Sequence, residues 1–485
     1  PAELRRLTEI VAENNGWRAP RPDPSSQHLF SGLRDRIHHV IYVVKENRTY
    51  DQLLGNLGKG NGDPSLAILA PYSPNHQKIA REFVLLDNFF DSGEVSGDGW
   101  QWSTAARTTE TTEKTVPLHY AHRGPTYDWE GSNRNVPVGL PSEERREANP
   151  LLPRDPNLLP GPADAAAPDG GSGEAGAGFL WDAALRRGLS VRNYGFFGDL
   201  TRYFLPPALP GGVALARLPF SAHRRQFYPV QQRLIPLSDP FYRGFDMRYP
   251  DYWRFREWQR EFEAFCRNSS LPTLELVRLP HDHFGSFGKA IDGVNTVETQ
   301  MADNDYALGL LVETVAKSRY RNDTLILVLE DDAQDGVDHV DAHRSVAFVI
   351  GPYVRKRGVV SSRFTTVSLL RTLEELLGLP PLGLFDAAAR PMEEVFSLTE
   401  AQWDYQAVVP AVLRTTSLPL PGSVPVAGAS RGRRSAAYWQ RAMAGERFER
   451  EDRLHPERFN RALWTGLQGE GVPYPAAGRR EGVEP

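Results

Sequence analysis

Three apolar runs that each end on acid constrain this chain most. "IHHVIYVV" (37–44) leads into Lys45-Glu46-Asn47, "TLILVL" (324–329) into Glu330-Asp331-Asp332, and "LPTLELVRLP" (271–280) into "HDH" (281–283). Short apolar runs without polar alternation read as strands covered on both faces, the pattern of a parallel sheet. "SVAFVIG" (345–351) is a fourth. Helical spacing separates them. "WRFREWQREFEAFCRN" (253–268) is one helix, and "ADNDYALGLLVETVAKS" (302–318), with Ala307, Leu310, Leu311 and Val315 on one face, is another. "TTVSLLRTLEELLGLPP" (365–381) is a helix stopped by Gly378 and Pro380. A helix is also expected near 75–82 and another beginning within 102–109, with "FVLLDNFF" (83–90) a strand-like run between them. Strands alternating with helices predict an α/β fold: a mostly parallel central sheet with helices on both faces.

Residues 1–36 are read as an N-terminal helix and a Pro/Ser-rich linker, 37–400 as the main domain, and 401–485 as an extension that docks back through Trp439 and Trp464. Two insertions interrupt the main domain, about 110–178 and 200–253. The first carries the low-complexity stretch "PGPADAAAPDGGSGEAGAG". Composition excludes several classes. A net charge of -5 gives no basic field for nucleic acid, and no apolar stretch approaches the roughly 18 residues of a membrane span. Cys266 is the only cysteine, so neither an internal disulfide nor a thiolate metal cluster can form. The chain begins at Pro1, from which a segment upstream is expected.

In open α/β sheets, ligands bind beyond the carboxyl ends of the strands, and that is where the acidic clusters fall. "EDDAQDGVDHVDAHR" (330–344) concentrates Asp331, Asp332, Asp335, Asp338, Asp341, His339 and His343. So many carboxylates together repel unless a cation neutralises them. Asp mixed with His suits Zn, Mn or Fe better than Mg; the plainer reading is a solvated loop holding structural calcium. Ser96, in "GEVSGDGW", stands where a Gly-rich corner enters a helix, a place that suits a nucleophile approaching a phosphate. No histidine lies nearby to act as its base, a need that metal coordination of the hydroxyl removes. Glu46 and Asn47 would then hold a cation against Ser96 and Asp331-Asp332.

"HVIYVVKENRTYDQLLG", "LDNFFDSGEVSGDGWQWS", "LPHDHFG", "MADNDYALG" and "LEDDAQDGVDHVDAHRSVAFVIGPYV" together resemble the bacterial phosphoesterase family of phospholipase C and acid phosphatase type. That family lies within the alkaline phosphatase superfamily, and the subgroup resembled is often fused to a YVTN-type β-propeller. The resemblance implies an alkaline-phosphatase-like sheet and a metal-activated serine that forms a phosphoserine intermediate. It places metal ligands at Glu46, Asn47, Ser96, Asp331 and Asp332, and draws a second metal's ligands from Asp282, His283, His339 and His343, with His281 and Asp338 as neighbours. Arg48 is the candidate for contacting substrate phosphate. The pattern "DGHNW" of similar sequences reads "DGWQW" here, so Trp100 stands in place of a histidine.

The implied function is hydrolysis of phosphate mono- or diesters, small-molecule or lipid, with one or two divalent ions, Zn first and Mn, Fe or Ca after it. No nucleic acid partner is expected; an upstream β-propeller and a periplasmic or extracellular location follow from the resemblance alone. A second substituent of a diester would need an apolar place, for which Tyr203, Phe204, Phe227 and Tyr228 are candidates. The rival reading is a non-catalytic calcium-binding surface protein that keeps the fold. A sulfatase would need a C/S-x-P-x-R motif, whereas 96–100 read Ser-Gly-Asp-Gly-Trp.

Overall fold

The computed structural model describes residues 2–15, 17, 24–110, 112–114, 116, 178–199, 215–229, 232–422, 433–446, 448 and 454–475. Tyr203, Phe204 and the low-complexity stretch up to residue 177 lie outside them. The described strands are β1 (His39–Lys45), β2 (Leu85–Leu86), β3 (Phe89–Phe90), β4 (Val191–Tyr194), β5 (Gly198–Asp199), β6 (Tyr228–Pro229), β7 (Leu274–Leu279), β8 (Thr324–Glu330), β9 (Ala347–Ile350), β10 (Val359–Val360) and β11 (Phe364–Thr365). Five of them form the central sheet, in the order β4-β7-β1-β8-β9. Pairing is parallel except between β8 and β9, which run antiparallel. Every residue of β7 and β8 is buried, as the non-alternating sequence predicts. Helices flank the sheet in two groups: 24–34, 96–105 and 366–377 pack together, as do 74–82, 251–268 and 297–316.

Several elements differ from the sequence expectation. "FVLLDNFF" is not one strand. Asp87-Asn88 divides it, because Asp87 Oδ2 accepts from Asn61 N (2.8 Å) and Asp87 O from Arg344 Nη1 (3.0 Å); β2 and β3 pair instead with β10 and β11. The helix expected to begin within 102–109 spans Ser96–Ala105. Asp98 closes its first turn early, accepting from Glu94 N and Val95 N at 3.1 Å each. The 302–318 helix starts at Val297, where Thr296 caps it.

The larger of two hydrophobic clusters among the described residues includes Phe30 and Leu33 from the N-terminal segment and Trp439, Phe459, Leu463 and Trp464 from the C-terminal extension. The described part of the 200–253 stretch is anchored by buried arginines. Arg254 donates to the carbonyls of Arg243, Gly244 and Asp246 (2.8, 2.7 and 3.0 Å). Phe227 fills the space beside Gly198, where a Cβ would meet its ring, so its role is core packing.

Glu275, inside β7, accepts from Trp258 Nε1 at 2.8 Å, and burial pushes its carboxyl up to about 8. A carboxyl whose folded pKa lies above its ordinary value of 4.5 favours folding below pH 4.5, and that contribution is lost as pH rises towards 8. The window corresponds to ~5 kcal/mol. Glu275→Gln keeps the acceptor for Trp258 and removes the titration. We expect unfolding free energy in urea to fall more steeply between pH 5 and pH 9 for the parent than for the variant. Parallel pH profiles would refute the assignment.

Candidate active site

Register brings the three acidic strand ends level. Lys45 lies opposite Leu279 of β7 and Glu330 of β8, so Glu46-Asn47, the 281–283 turn and Asp331-Asp332 leave the sheet side by side. Beneath them is a buried charge cluster: Lys45 Nζ is 2.6 Å from Glu330 Oε1 and 2.7 Å from Asp282 Oδ2, all without solvent exposure. Burial opposes the lysine's charge, but the two carboxylates outweigh it and raise its pKa.

Above this layer, Ser96 Oγ lies 3.0 Å from Asp332 Oδ2 and 3.5 Å from Glu46 Oε2. Ser96 is the first residue of its helix, whose positive end favours an anion at that hydroxyl. Gly99 permits this placement: a Cβ there would lie 2.5 Å from the Asp331 carbonyl oxygen. We expect Gly99→Ala to push Ser96 away from the carboxylates and lower kcat/KM by ~100-fold with circular dichroism preserved. Unchanged kinetics would mean the helix tolerates the shift.

Asn47 leaves β1 with φ 70°, a left-handed turn that asparagine tolerates better than most residues. With its Nδ2 donating to Gln334 Oε1 at 3.0 Å, its Oδ1 faces Asp331 Oδ1 at 2.9 Å and Asp332 Oδ2 at 3.2 Å. Turned over, the amide donates to both carboxylates. The first orientation suits a bound cation, the second the protein without one. Burial, followed by the charge of Glu46, pushes the Asp331 and Asp332 carboxyls far above the usual range. Among the described residues, Asp331 Oδ2 has no hydrogen-bond donor. Three carboxylates and one amide oxygen therefore converge on a serine hydroxyl, a donor set that fits a divalent ion.

Arg278, which the sequence reading overlooked, is the site's fixed cation. Its Nε (3.0 Å) and Nη2 both donate to Glu46 Oε1. The guanidinium stacks 4.4 Å from the Trp100 ring and 5.0 Å from Phe245. Trp100, in the place of a histidine, thus serves as a platform for Arg278 rather than as a ligand. A charge inside an apolar strand was the available signal, in "LVRLP" as in "VVKEN". Asp91, also overlooked, is buried with neither carboxylate oxygen hydrogen-bonded among the described residues; burial drives its carboxyl well up.

The residues expected to form a second metal site are dispersed. Asp282 is spent on Lys45, on Asn304 Nδ2 (3.1 Å) and on Glu46 N (3.2 Å). His283 Nδ1 lies 3.2 Å from the Phe284 carbonyl, its ring edge-on to Phe245. His281 bonds Asp303 (2.6 Å). His343 pairs at the surface with Asp341 (2.8 Å) and Glu94 (3.0 Å). His339 belongs to a separate group with Asp51 and Asp338, whose ligand atoms lie within 4.8 Å of one another. There Arg344 already supplies countercharge, 3.1 Å from Asp51 and 2.9 Å from Asp338. Arg48 donates Nε to the Asp282 carbonyl (2.9 Å) and lies 4.4 Å from the Phe284 ring. Its Nη2 meets no acceptor among the described residues, and burial lowers its pKa to about 10.

No family model matches the chain, and no curated protein matches it. Among solved structures it is similar to a protein in the alkaline phosphatase superfamily from Vibrio parahaemolyticus (14% identity, 79% of this chain and 83% of that one, TM-score 0.41). It is also similar to the lipoteichoic acid synthase LtaP from Listeria monocytogenes (12% identity, 78% and 81%, TM-score 0.44). A third is the phosphonate monoester hydrolase SpPMH from Silicibacter pomeroyi (13% identity, 76% and 78%, TM-score 0.36).

Proposed function

We propose that this chain is a metal-dependent phosphoesterase of the alkaline phosphatase superfamily in which Ser96 is the nucleophile. The observation that carries the reading is the meeting of Ser96 Oγ with the Asp332 and Glu46 carboxylates at a helix N-terminus. Glu46, Asn47, Asp331 and Asp332 would hold a divalent ion, with the Ser96 hydroxyl as a further ligand. When bound, that ion lowers the pKa of the hydroxyl and offsets negative charge on the ester.

Ser96 Oγ attacks phosphorus as its proton leaves towards Asp332 Oδ2, the nearer acceptor. The P–O bond to the alcohol breaks, and the departing oxygen takes up a proton. Water then attacks the phosphoserine, which restores the Ser96 hydroxyl and releases phosphate, or a phosphomonoester when the substrate is a diester. Arg278 keeps Glu46 oriented, and Arg48 Nη2 is a donor available to a phosphoryl oxygen. Once a cation draws the protons from Asp331 and Asp332, those two carboxylates and Glu46 set against Arg278 would carry two negative charges, which one divalent ion matches.

The test is hydrolysis of p-nitrophenyl phosphate and bis-p-nitrophenyl phosphate by metal-stripped and Zn- or Mn-reloaded protein, with bound metal measured on the same samples. Turnover that vanishes on stripping and returns on reloading is expected. Calcium binding that stabilises the protein without turnover of either ester would instead establish the non-catalytic reading.

A further inference from the structure

The Pro456–Gln468 helix belongs to the C-terminal extension, yet two of its side chains reach the loops that carry the site. Asn460 Nδ2 donates to the carbonyls of Gln334 (2.9 Å) and Asp335 (3.1 Å). Both of those residues are left-handed, with φ 45° and 52°, a conformation that non-glycine residues hold only when their surroundings impose it. A single buried amide gathers both carbonyls.

Gln334 links this turn to the site. Its backbone N donates to Asp332 Oδ1 at 2.6 Å, and its Oε1 accepts from Asn47 Nδ2 at 3.0 Å. Three consecutive bonds thus run from Asn460 through Gln334 to two of the residues assigned to the cation. Phe459 acts beside it: its ring lies 5.5 Å from the Arg48 guanidinium, which also contacts Phe284. The residue next to Asn47 therefore lies beside a ring of the main domain and a ring of the extension, whose centroids are 6.4 Å apart.

We propose that Asn460 is a positioning residue for the cation site, fixing Asp332 and Asn47 through the left-handed Gln334-Asp335 turn. The proposal rests on the reading above that Glu46, Asn47, Asp331 and Asp332 bind a divalent ion. Without the Asn460 amide, no described residue of the extension is left to hold the two carbonyls, and the turn relaxes towards ordinary backbone angles. The Asp332 carboxylate and the Asn47 side chain then separate before any ion arrives.

The experiment compares the full chain with Asn460→Leu, which keeps the volume and removes the donor. Trp464→Phe serves as control, because Trp464 Nε1 bonds Val472 O (3.2 Å) within the extension. Zn and Mn dissociation constants, thermal stability of the metal-free protein and amide exchange at 331–337 are measured. Asn460→Leu should weaken metal binding ~10–100-fold and speed exchange at 334–337 in the metal-free protein. Trp464→Phe should lower thermal stability by as much or more with metal affinity unchanged. Equal metal affinity in Asn460→Leu and the parent overturns the proposal, as does equal weakening in both variants, which would reduce the effect to docking of the extension. A parent chain that binds neither ion overturns the cation reading itself, and the positioning role with it.

Discussion

Ser96→Ala should lower turnover of both phosphate esters by on the order of 10⁴-fold or more, with metal affinity held within several-fold. The substitution removes one oxygen from a site that keeps its carboxylates, its amide and Arg278. It leaves Asp332 Oδ2 without the hydroxyl that donates to it at 3.0 Å, a loss of ~1–3 kcal/mol in the metal-free protein. A bound cation would offset that loss, so the stability difference between parent and variant should shrink when metal is added. Steady-state kinetics with isothermal titration of Zn or Mn checks both halves. Residual turnover above a few per cent would assign the attack to water and reduce Ser96 to a ligand. Collapse of metal binding would make the hydroxyl an essential ligand and leave its role as nucleophile unproven.

Lys45→Met should be among the most destabilising single changes in the molecule. Nζ bridges Glu330 and Asp282 with no exposed surface on any of the three. Deleting it leaves two buried carboxylates facing each other, at a cost of about 3–5 kcal/mol. Glu330 already titrates well above its ordinary value through burial and the nearby Asp282 charge, and removal of the lysine raises it further. A carboxyl raised in the folded state stabilises the fold when protonated and destabilises it as pH climbs. The damage from Lys45→Met should therefore be greater at pH 8 than at pH 5. Urea denaturation at both values tests this, and Glu330→Gln in the same background should recover part of the loss. A pH-independent cost below 1 kcal/mol would mean that water or local rearrangement relieves the pair.

The main strands could be read from the chain because a buried parallel strand must be apolar on both faces, and such runs are rare in a sequence this polar. The acidic strand ends were legible for a related reason: register in a parallel sheet sets successive carboxyl ends level, so Glu46, Asp282 and Asp331 had to emerge near one another. Which of them serves one ion was not legible. Asp282 and Glu46 both follow strands, yet Asp282 is neutralised by Lys45 while Glu46 turns towards Ser96. His339 and His343 sit within a dozen residues of Asp332 but bond Asp51 and Glu94 instead.

Local sequence also misplaced the start of the Ser96 helix. Asp98 supplies the early cap from inside the first turn, and the two glycines of "SGDGW" weakened the helical signal there. Sequence by itself determined the buried strands, the helices between them and the acidic ends of the sheet, because each follows from periodicity and burial along one segment. Tertiary structure alone decided the partners: Arg278 on Glu46, Lys45 between Glu330 and Asp282, and Asn460 on the Gln334-Asp335 turn. Those pairings join positions more than a hundred residues apart, and buried charges and amides take whichever partner the packing brings within hydrogen-bond reach.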